Sequence, residues 1–227
     1  MAANKTIFKN PSIAILKREP EFAALIKKHG LPAQEKRRGS IFQALVRSII
    51  YQQVSGKAAA TIFARFIALF DENPPKKKGH KTFPTPEQVS AMSFEKLRAA
   101  GLSGQKASYV HNLAEKFSDG TIKHRALARM QSESVIEHLV QVKGVGVWTA
   151  QMILISTLGR PDILPTGDLG IQKGFQIVYK LRKLPDHKMM ERLAKPWRAH
   201  SSVACWYLWR AADQAKLKSK VYTTAKR

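Results

Sequence analysis

Ile41, Leu45 and Ile49 recur every four residues with Phe42 and Val46 beside them, a spacing that lays one apolar face along a helix. Ser40 stands just before the first of them, where a hydroxyl can cap the opening turn. The same grammar runs through the chain. Asn10-Pro11 and Glu19-Pro20 each read as a helix start, and Gly30 closes the second of these helices. Ser55 restarts the chain into a segment that carries Ile62, Phe66 and Phe70 on one face. Thr85-Pro86-Glu87-Gln88 reads as a capping box with proline at the first helical position. Shorter helices are expected from Ser93 to about Ala100, stopped by Gly101, and from Ser103 to about Phe117, stopped near Asp119-Gly120. One more begins near Ser132, and another leaves through WTAQMILISTLG. A loop is expected around Pro161–Asp168, then two or three helices, the last over roughly Arg198–Lys216. No alternating strand pattern exceeds a few residues, so the expected fold class is all-α.

The charge is less ordinary than the patterning. Lys and Arg total 39 against 16 Asp and Glu, a formal +23 over 227 residues. Self-repulsion of that size opposes a compact state, and a polyanionic partner explains it best. Nucleic acid fits better than an anionic membrane, because no basic helix has a clean lipid-seeking apolar face. No segment approaches the ~20 apolar residues of a membrane helix, and residues 1–20 lack the apolar stretch of a signal peptide. The single cysteine, Cys205, cannot form an internal disulfide, a CxxC zinc site or a four-cysteine iron–sulfur cluster. These features lead us to expect a soluble intracellular protein, cytoplasmic with the nucleoid in a prokaryote or nuclear in a eukaryote. The basic, proline-rich run at 71–86 reads as a surface loop rather than a domain linker. Its lysine-rich part, 76–81, suits either a nuclear signal or a DNA contact.

Between two helical patterns lies Leu139-Val-Gln-Val-Lys-Gly-Val-Gly-Val-Trp-Thr-Ala150. Gly144 and Gly146 permit a tight turn and close backbone approach, and such a turn opening a helix points several amide N–H groups outward. Lys143 adds a positive charge. Gly-x-Gly alone is equally a plain helix–helix turn. The longer apolar–Gly–apolar–Gly pattern ending in Thr-Ala favours a phosphate cradle at 142–147, formed by Lys143, Gly144, Gly146, Val147 and Thr149.

This stretch resembles the helix-hairpin-helix of the base-excision DNA glycosylases that carry a Gly/Pro-rich loop and a downstream aspartate. Here that loop is Leu164-Pro165-Thr166-Gly167-Asp168-Leu169-Gly170. SIIYQQVSGKAA (48–59), LRAAGLSGQKASYV (97–110) and KPWRAHSSVACWYLWR (195–210) are similar to the branch of 3-methyladenine DNA glycosylase II. The likeness runs from about residue 10 to 215. It implies a single glycosylase unit of two helical lobes flanking a cleft, 41–160 with the hairpin and 1–40 plus 161–227. It also implies a monomer that binds double-stranded DNA containing damaged bases.

The resemblance implies that Asp168 is the catalytic carboxylate, stabilising the oxocarbenium-like sugar as the base departs. Gly167-Asp168 is also good capping sequence for a helix near Leu169, and both roles can hold together. Bifunctional relatives carry a Schiff-base lysine just after the hairpin, and Trp148 stands there instead, implying a monofunctional hydrolase. Gln53, with Gln52 beside it, matches the side chain that fills the gap left by a flipped base. Trp206 matches a position that stacks on the base, while Trp148, Tyr51 and Met152 are expected to line the same pocket. At least two of Trp197, Trp206, Tyr207 and Trp209 are expected in the core of the last helix. Ser201 stands where relatives often carry an arginine, which speaks against arginine anchoring there. No iron–sulfur cluster or side-chain metal site is expected. The resemblance does imply a structural Na+ or K+ on the backbone carbonyls of Val140, Val142 and Val145. The competing reading is a non-catalytic helix-hairpin-helix protein that binds damaged DNA and uses Asp168 only as a cap.

Overall fold

A computed structural model of the chain describes residues 10–32, 39–70 and 83–224, without the side chains of residues 10, 124 and 218–224. The residues described are helical or loop, with no strand among them. Residues 71–82, including the lysine-rich segment, lie outside this set. The chain divides into two compact units, one made of Met1–Lys36 with Gly159–Arg227 and one of Arg37–Leu158.

In the second unit, α3 (Ile41–Tyr51) starts where Ser40 Oγ accepts the Gln43 N–H. The helices α4 (Gly56–Ala68), α6 (Phe94–Ala99) and α7 (Gly104–Ser118) start in the same way on Ser55, Ser93 and Ser103. At α5 (Pro86–Ser90) both halves of the Thr85/Gln88 capping box form. Each cap satisfies an N–H that the first turn would otherwise leave without a partner. The helices bury Phe42, Leu45, Ile49, Phe66, Leu97, Val110 and Leu113 together. A short α8 (His124–Leu127), which the sequence reading did not single out, leads to α9 (Ser132–Leu139), and α10 (Val147–Ile153) follows the hairpin. No α-helix runs unbroken through WTAQMILISTLG, because Leu154–Leu158 forms a π-helical turn. Ser156 Oγ donates to the Met152 carbonyl at 2.6 Å, the side-chain competition for a helix carbonyl that accompanies such irregular turns.

The first unit is built on α11 (Leu169–Val178) packed against the long α13 (Ser201–Thr224). Gly174 sets their separation, since a Cβ there would stand 2.6 Å from the Leu208 carbonyl oxygen. Around this pair α1 (Asn10–Leu16), α2 (Pro20–His29) and α12 (His187–Ala194) close a core containing Phe22, Phe175, Trp197 and Tyr207. Phe22 meets Trp197 and Tyr207 edge-on at 5.3 and 6.5 Å. The last helix starts at Ser201 rather than near Arg198, because Lys195–His200 form a 3-10 segment broken at Trp197, with φ −125° and ψ 16°. No helix among the described residues is long and apolar enough to cross a membrane.

Candidate functional site

Asp168 closes the loop before α11 and caps that helix, its Oδ1 accepting the Ile171 N–H at 2.8 Å. The same oxygen accepts a second bond, from the indole Nε1–H of Trp209 at 3.1 Å. Gly170 permits this approach, for a Cβ there would stand 2.9 Å from both Asp168 Oδ1 and Trp209 Cδ1. In the sequence Trp209 reads as one more aromatic of helix packing. Its spacing of three from Trp206 was visible, but the partner 41 positions away was not.

The loop that carries Asp168 is pinned along its length. Ser202 donates its N–H to the Pro161 carbonyl and its hydroxyl to that of Arg160, and its Oγ accepts the Ile163 N–H. Arg198 donates to the Asp162 carbonyl and pairs with Glu191 at 2.9 Å. Ser201 carries no charge, and the arginine that bonds this loop is Arg198, three residues earlier. Further along, the Thr166 carbonyl accepts from Gln172 Nε2 at 3.0 Å, and Asp168 N–H donates to the Pro165 carbonyl. Cys205 lies beneath the loop, fully buried, with its thiol 3.8 Å from the Ile163 carbonyl. Burial pushes that thiol far above its usual range, aided by the Asp168 charge, so it stays protonated and packs as a small apolar group.

Trp206 is half-buried, edge-on to Tyr207 and His29, with the Arg210 guanidinium 4.8 Å from its ring centroid. His29 is held below the ordinary histidine range by burial, then by Lys28 and Arg210. Trp197 and Tyr207 are core residues, as expected for two of the four C-terminal aromatics.

The hairpin belongs to the other unit. Gly144 has φ +83°, and a Cβ there would fall 2.1 Å from Tyr109 Cδ2. Glycine is required at 144 by both dihedral and packing. Gly146 differs. It caps α10 with φ −91° and ψ 174°, and beyond its chain neighbours no heavy atom lies within 4 Å of where its Cβ would stand. Val147 and Trp148 are 54% and 51% exposed, whereas Thr149 is 4% exposed. The side chain of Thr149 is therefore not a surface phosphate ligand, and only its backbone amide remains for that role.

From α7 three contacts organise this region. Tyr109 packs on Gly144, Asn112 Oδ1 accepts the Lys143 N–H at 3.2 Å, and Lys106 Nζ donates to the carbonyls of Ile50 and Gln52 at 2.8 and 2.6 Å. Gln52 in turn donates Nε2–H to the Gly144 carbonyl at 2.9 Å. Its side chain joins loop to hairpin, instead of projecting beside Gln53 as expected. Gln53 itself is exposed and held at φ +54°, a left-handed conformation costly for a residue with a Cβ. Tyr51 is half-buried, with Arg47 4.4 Å above its ring and Phe63 edge-on at 6.3 Å. Met152 is half-buried on α10. The carbonyl of Val142 accepts the Val145 N–H at 3.0 Å. Among the described residues, no cluster of three His, Cys, Asp or Glu could hold a metal ion.

Residues 46–199 match the family described as HhH-GPD superfamily base excision DNA repair protein. DNA-3-methyladenine glycosylase 1 of Schizosaccharomyces pombe is 33% identical over 185 residues, 81% of this chain and 78% of that one. A putative DNA-3-methyladenine glycosylase of Bacillus subtilis is 30% identical over 174 residues, 77% of this chain and 60% of that one. Among solved structures, the fold is similar to the S. pombe 3-methyladenine DNA glycosylase in complex with abasic DNA. That match has TM-score 0.72 and 30% identity, covering 89% of this chain and 96% of that one. It is also similar to a DNA-3-methyladenine glycosidase from Bacillus halodurans, with TM-score 0.76, 33% identity and coverage of 92% and 91%.

Proposed function

The chain belongs to the HhH-GPD superfamily of base excision DNA repair proteins, and from that premise we propose that it hydrolyses alkylated purines from double-stranded DNA. The bases are of the 3-methyladenine and 7-methylguanine kind, and the product is an abasic site. The observation that carries this reading is the Asp168 carboxylate, fixed by two N–H donors at the end of a loop pinned along its length.

Breaking the bond between base and sugar develops positive charge on the sugar ring, and a fixed carboxylate stabilises that charge electrostatically. Asp168 would also orient or deprotonate the attacking water. Alkylation at N3 or N7 puts a positive charge on the purine, so the base departs without a strong general acid. Trp148 stands where a bifunctional enzyme would carry its Schiff-base lysine, and no strand cleavage is expected.

Gly146 supports a phosphate contact at the hairpin. Its dihedrals and protein neighbours leave room for a side chain, and beyond a modest preference for glycine at a helix N-cap, close approach by a partner's backbone accounts for the missing side chain. Lys143 and the amides of 144, 146, 147 and 149 would share that contact. Gln53, exposed and strained, suits a side chain that enters the duplex when a base leaves it. Trp148, Tyr51, Met152 and Trp206 remain the proposed base contacts. Arg47 and Arg210 cover one face of Tyr51 and Trp206, which disfavours a cationic base there, so the more exposed Trp148 is the better platform. Carbonyl oxygens are hard ligands suited to a monovalent cation. Those of Val140, Val142 and Val145 would hold one, Val142 using the lone pair left after its bond to Val145. We read the protein as a monomer acting inside the cell.

Asp168→Asn is the deciding variant, because asparagine keeps an Oδ1 acceptor for Ile171 and Trp209 and removes only the charge. Methylated duplex DNA should bind with near-normal affinity while release of methylpurines falls about a hundredfold or more. In the unaltered protein the abasic product should stay intact until hot alkali is added. Unchanged base release by the asparagine variant would leave the carboxylate a cap, whereas no release by the unaltered protein would make it a binder of damaged DNA.

A further inference from the structure

The Ile171 contact to Asp168 is what any aspartate N-cap makes, and by itself it explains nothing beyond the start of α11. The indole contact has no such explanation. Trp209 comes from α13, a separate element, and its N–H ends on the same carboxylate oxygen at 3.1 Å. Two features of α11 make room for it. Gly174 lets the backbones of α11 and α13 approach at Leu208, and Gly170, one turn earlier on the same face, lets the indole edge reach the carboxylate. A side chain at either glycine would separate the pair.

The terminal torsion of a carboxylate has broad minima, and a capping bond constrains it from one side. Two donors from different helices fix its plane. A half-buried indole N–H needs an acceptor in any case, so the bond is retained without ordering another side chain. We propose that Trp209 is a positioning residue for the reaction, holding the Asp168 carboxylate in its working orientation, with Gly170 providing the clearance. This rests on the reading of Asp168 as the catalytic carboxylate.

Three variants test it on methylated duplex DNA under single-turnover conditions. Trp209→Phe keeps the ring and removes the donor. Gly170→Ala keeps both partners but forces them apart. Asp168→Asn removes the charge and reports separately on the carboxylate itself. The maximal rate of base release should fall about ten- to a hundredfold in Trp209→Phe, the effect of losing one hydrogen bond to a charged group, while DNA affinity stays within about twofold. Gly170→Ala should lose rate similarly, with melting lowered by the parted contact and partly restored by the helix preference of alanine. The four tryptophans give four indole N–H resonances. The one that disappears in Trp209→Phe should shift in Asp168→Asn and in Gly170→Ala.

If Trp209→Phe releases base at the parental rate while Asp168→Asn does not, the positioning role is overturned and the carboxylate assignment stands. If Asp168→Asn also keeps the parental rate, it is the carboxylate assignment that has failed. Should Trp209→Phe fold poorly, Gly170→Ala decides: a parental rate there, with the indole resonance displaced, overturns the proposal.

Discussion

Two glycines two residues apart in the hairpin have different reasons to be glycine. At Gly144 the reasons are internal: a φ of +83° and a tyrosine ring filling the space a methyl would need. Gly144→Ala should therefore destabilise by about 2–4 kcal/mol, adding a left-handed backbone penalty to the displacement of Tyr109. Gly146 has an extended φ and open space, so alanine there should alter stability by no more than about 0.5 kcal/mol, a small capping loss offset by a stiffer unfolded chain. DNA affinity should separate the two positions the other way. The methyl added by Gly146→Ala crowds an approaching phosphate and should weaken binding about tenfold, equivalent to one charge-assisted hydrogen bond. Thermal melts paired with binding titrations at fixed salt check both. A Gly146→Ala variant that melts early but binds normally would make this a structural turn and no more.

At the scale of elements, α7 is the jig of its unit, and LRAAGLSGQKASYV is the sequence that makes it so. Ser103 starts the helix, and Lys106, Tyr109 and Asn112, spaced by three, all face the hairpin or the loop after α3. Lys106 supplies a cation and two donors to carbonyls that the C-terminus of α3 leaves over, as a helix end requires. Lys106→Met keeps the stem but loses both bonds. We expect the melting free energy to drop by about 1–3 kcal/mol and base release to slow, because Gln53 is then carried on a loosened loop. Unchanged single-turnover rates in a folded variant would mean that the loop holds its shape without the lysine. Local signals in the sequence reached this far and stopped. Serine caps at 40, 55, 93 and 103 lie within three residues of the N–H they bind, so a linear reading finds them. The hairpin and its glycines were legible for the same reason. The Lys106 and Trp209 contacts span 54 and 41 residues, and their donors look like ordinary surface and core side chains until the chain is folded. The π turn at Leu154–Leu158 was hidden as well, because Ser156 is a mild helix residue unless its hydroxyl takes the Met152 carbonyl.

For the whole molecule the governing quantity is its charge of +23, far in excess of what any one site uses. Most of that charge should act as a general attraction to phosphates, strong at low salt and falling steeply as salt rises. Each phosphate neutralised contributes roughly −0.9 to the slope of log affinity against log salt, so the slope counts the contacts. Lys143 has its backbone N–H tied to Asn112, which fixes where its side chain starts beside the hairpin turn. If it meets one phosphate, Lys143→Gln should make the slope shallower by about one and weaken binding equally on every duplex sequence. The choice of base should be unchanged, since phosphate contacts carry no sequence information. Gln53→Ala should behave in the opposite way. An uncharged side chain releases no counterions, so the slope should hold, while turnover falls because the flipped state loses what fills the gap. Affinity measured at several salt concentrations, with single-turnover rates at one of them, separates the two roles. A Lys143→Gln protein that releases a different set of bases, or a Gln53→Ala protein with a flatter slope, would show that clamp and wedge have been exchanged.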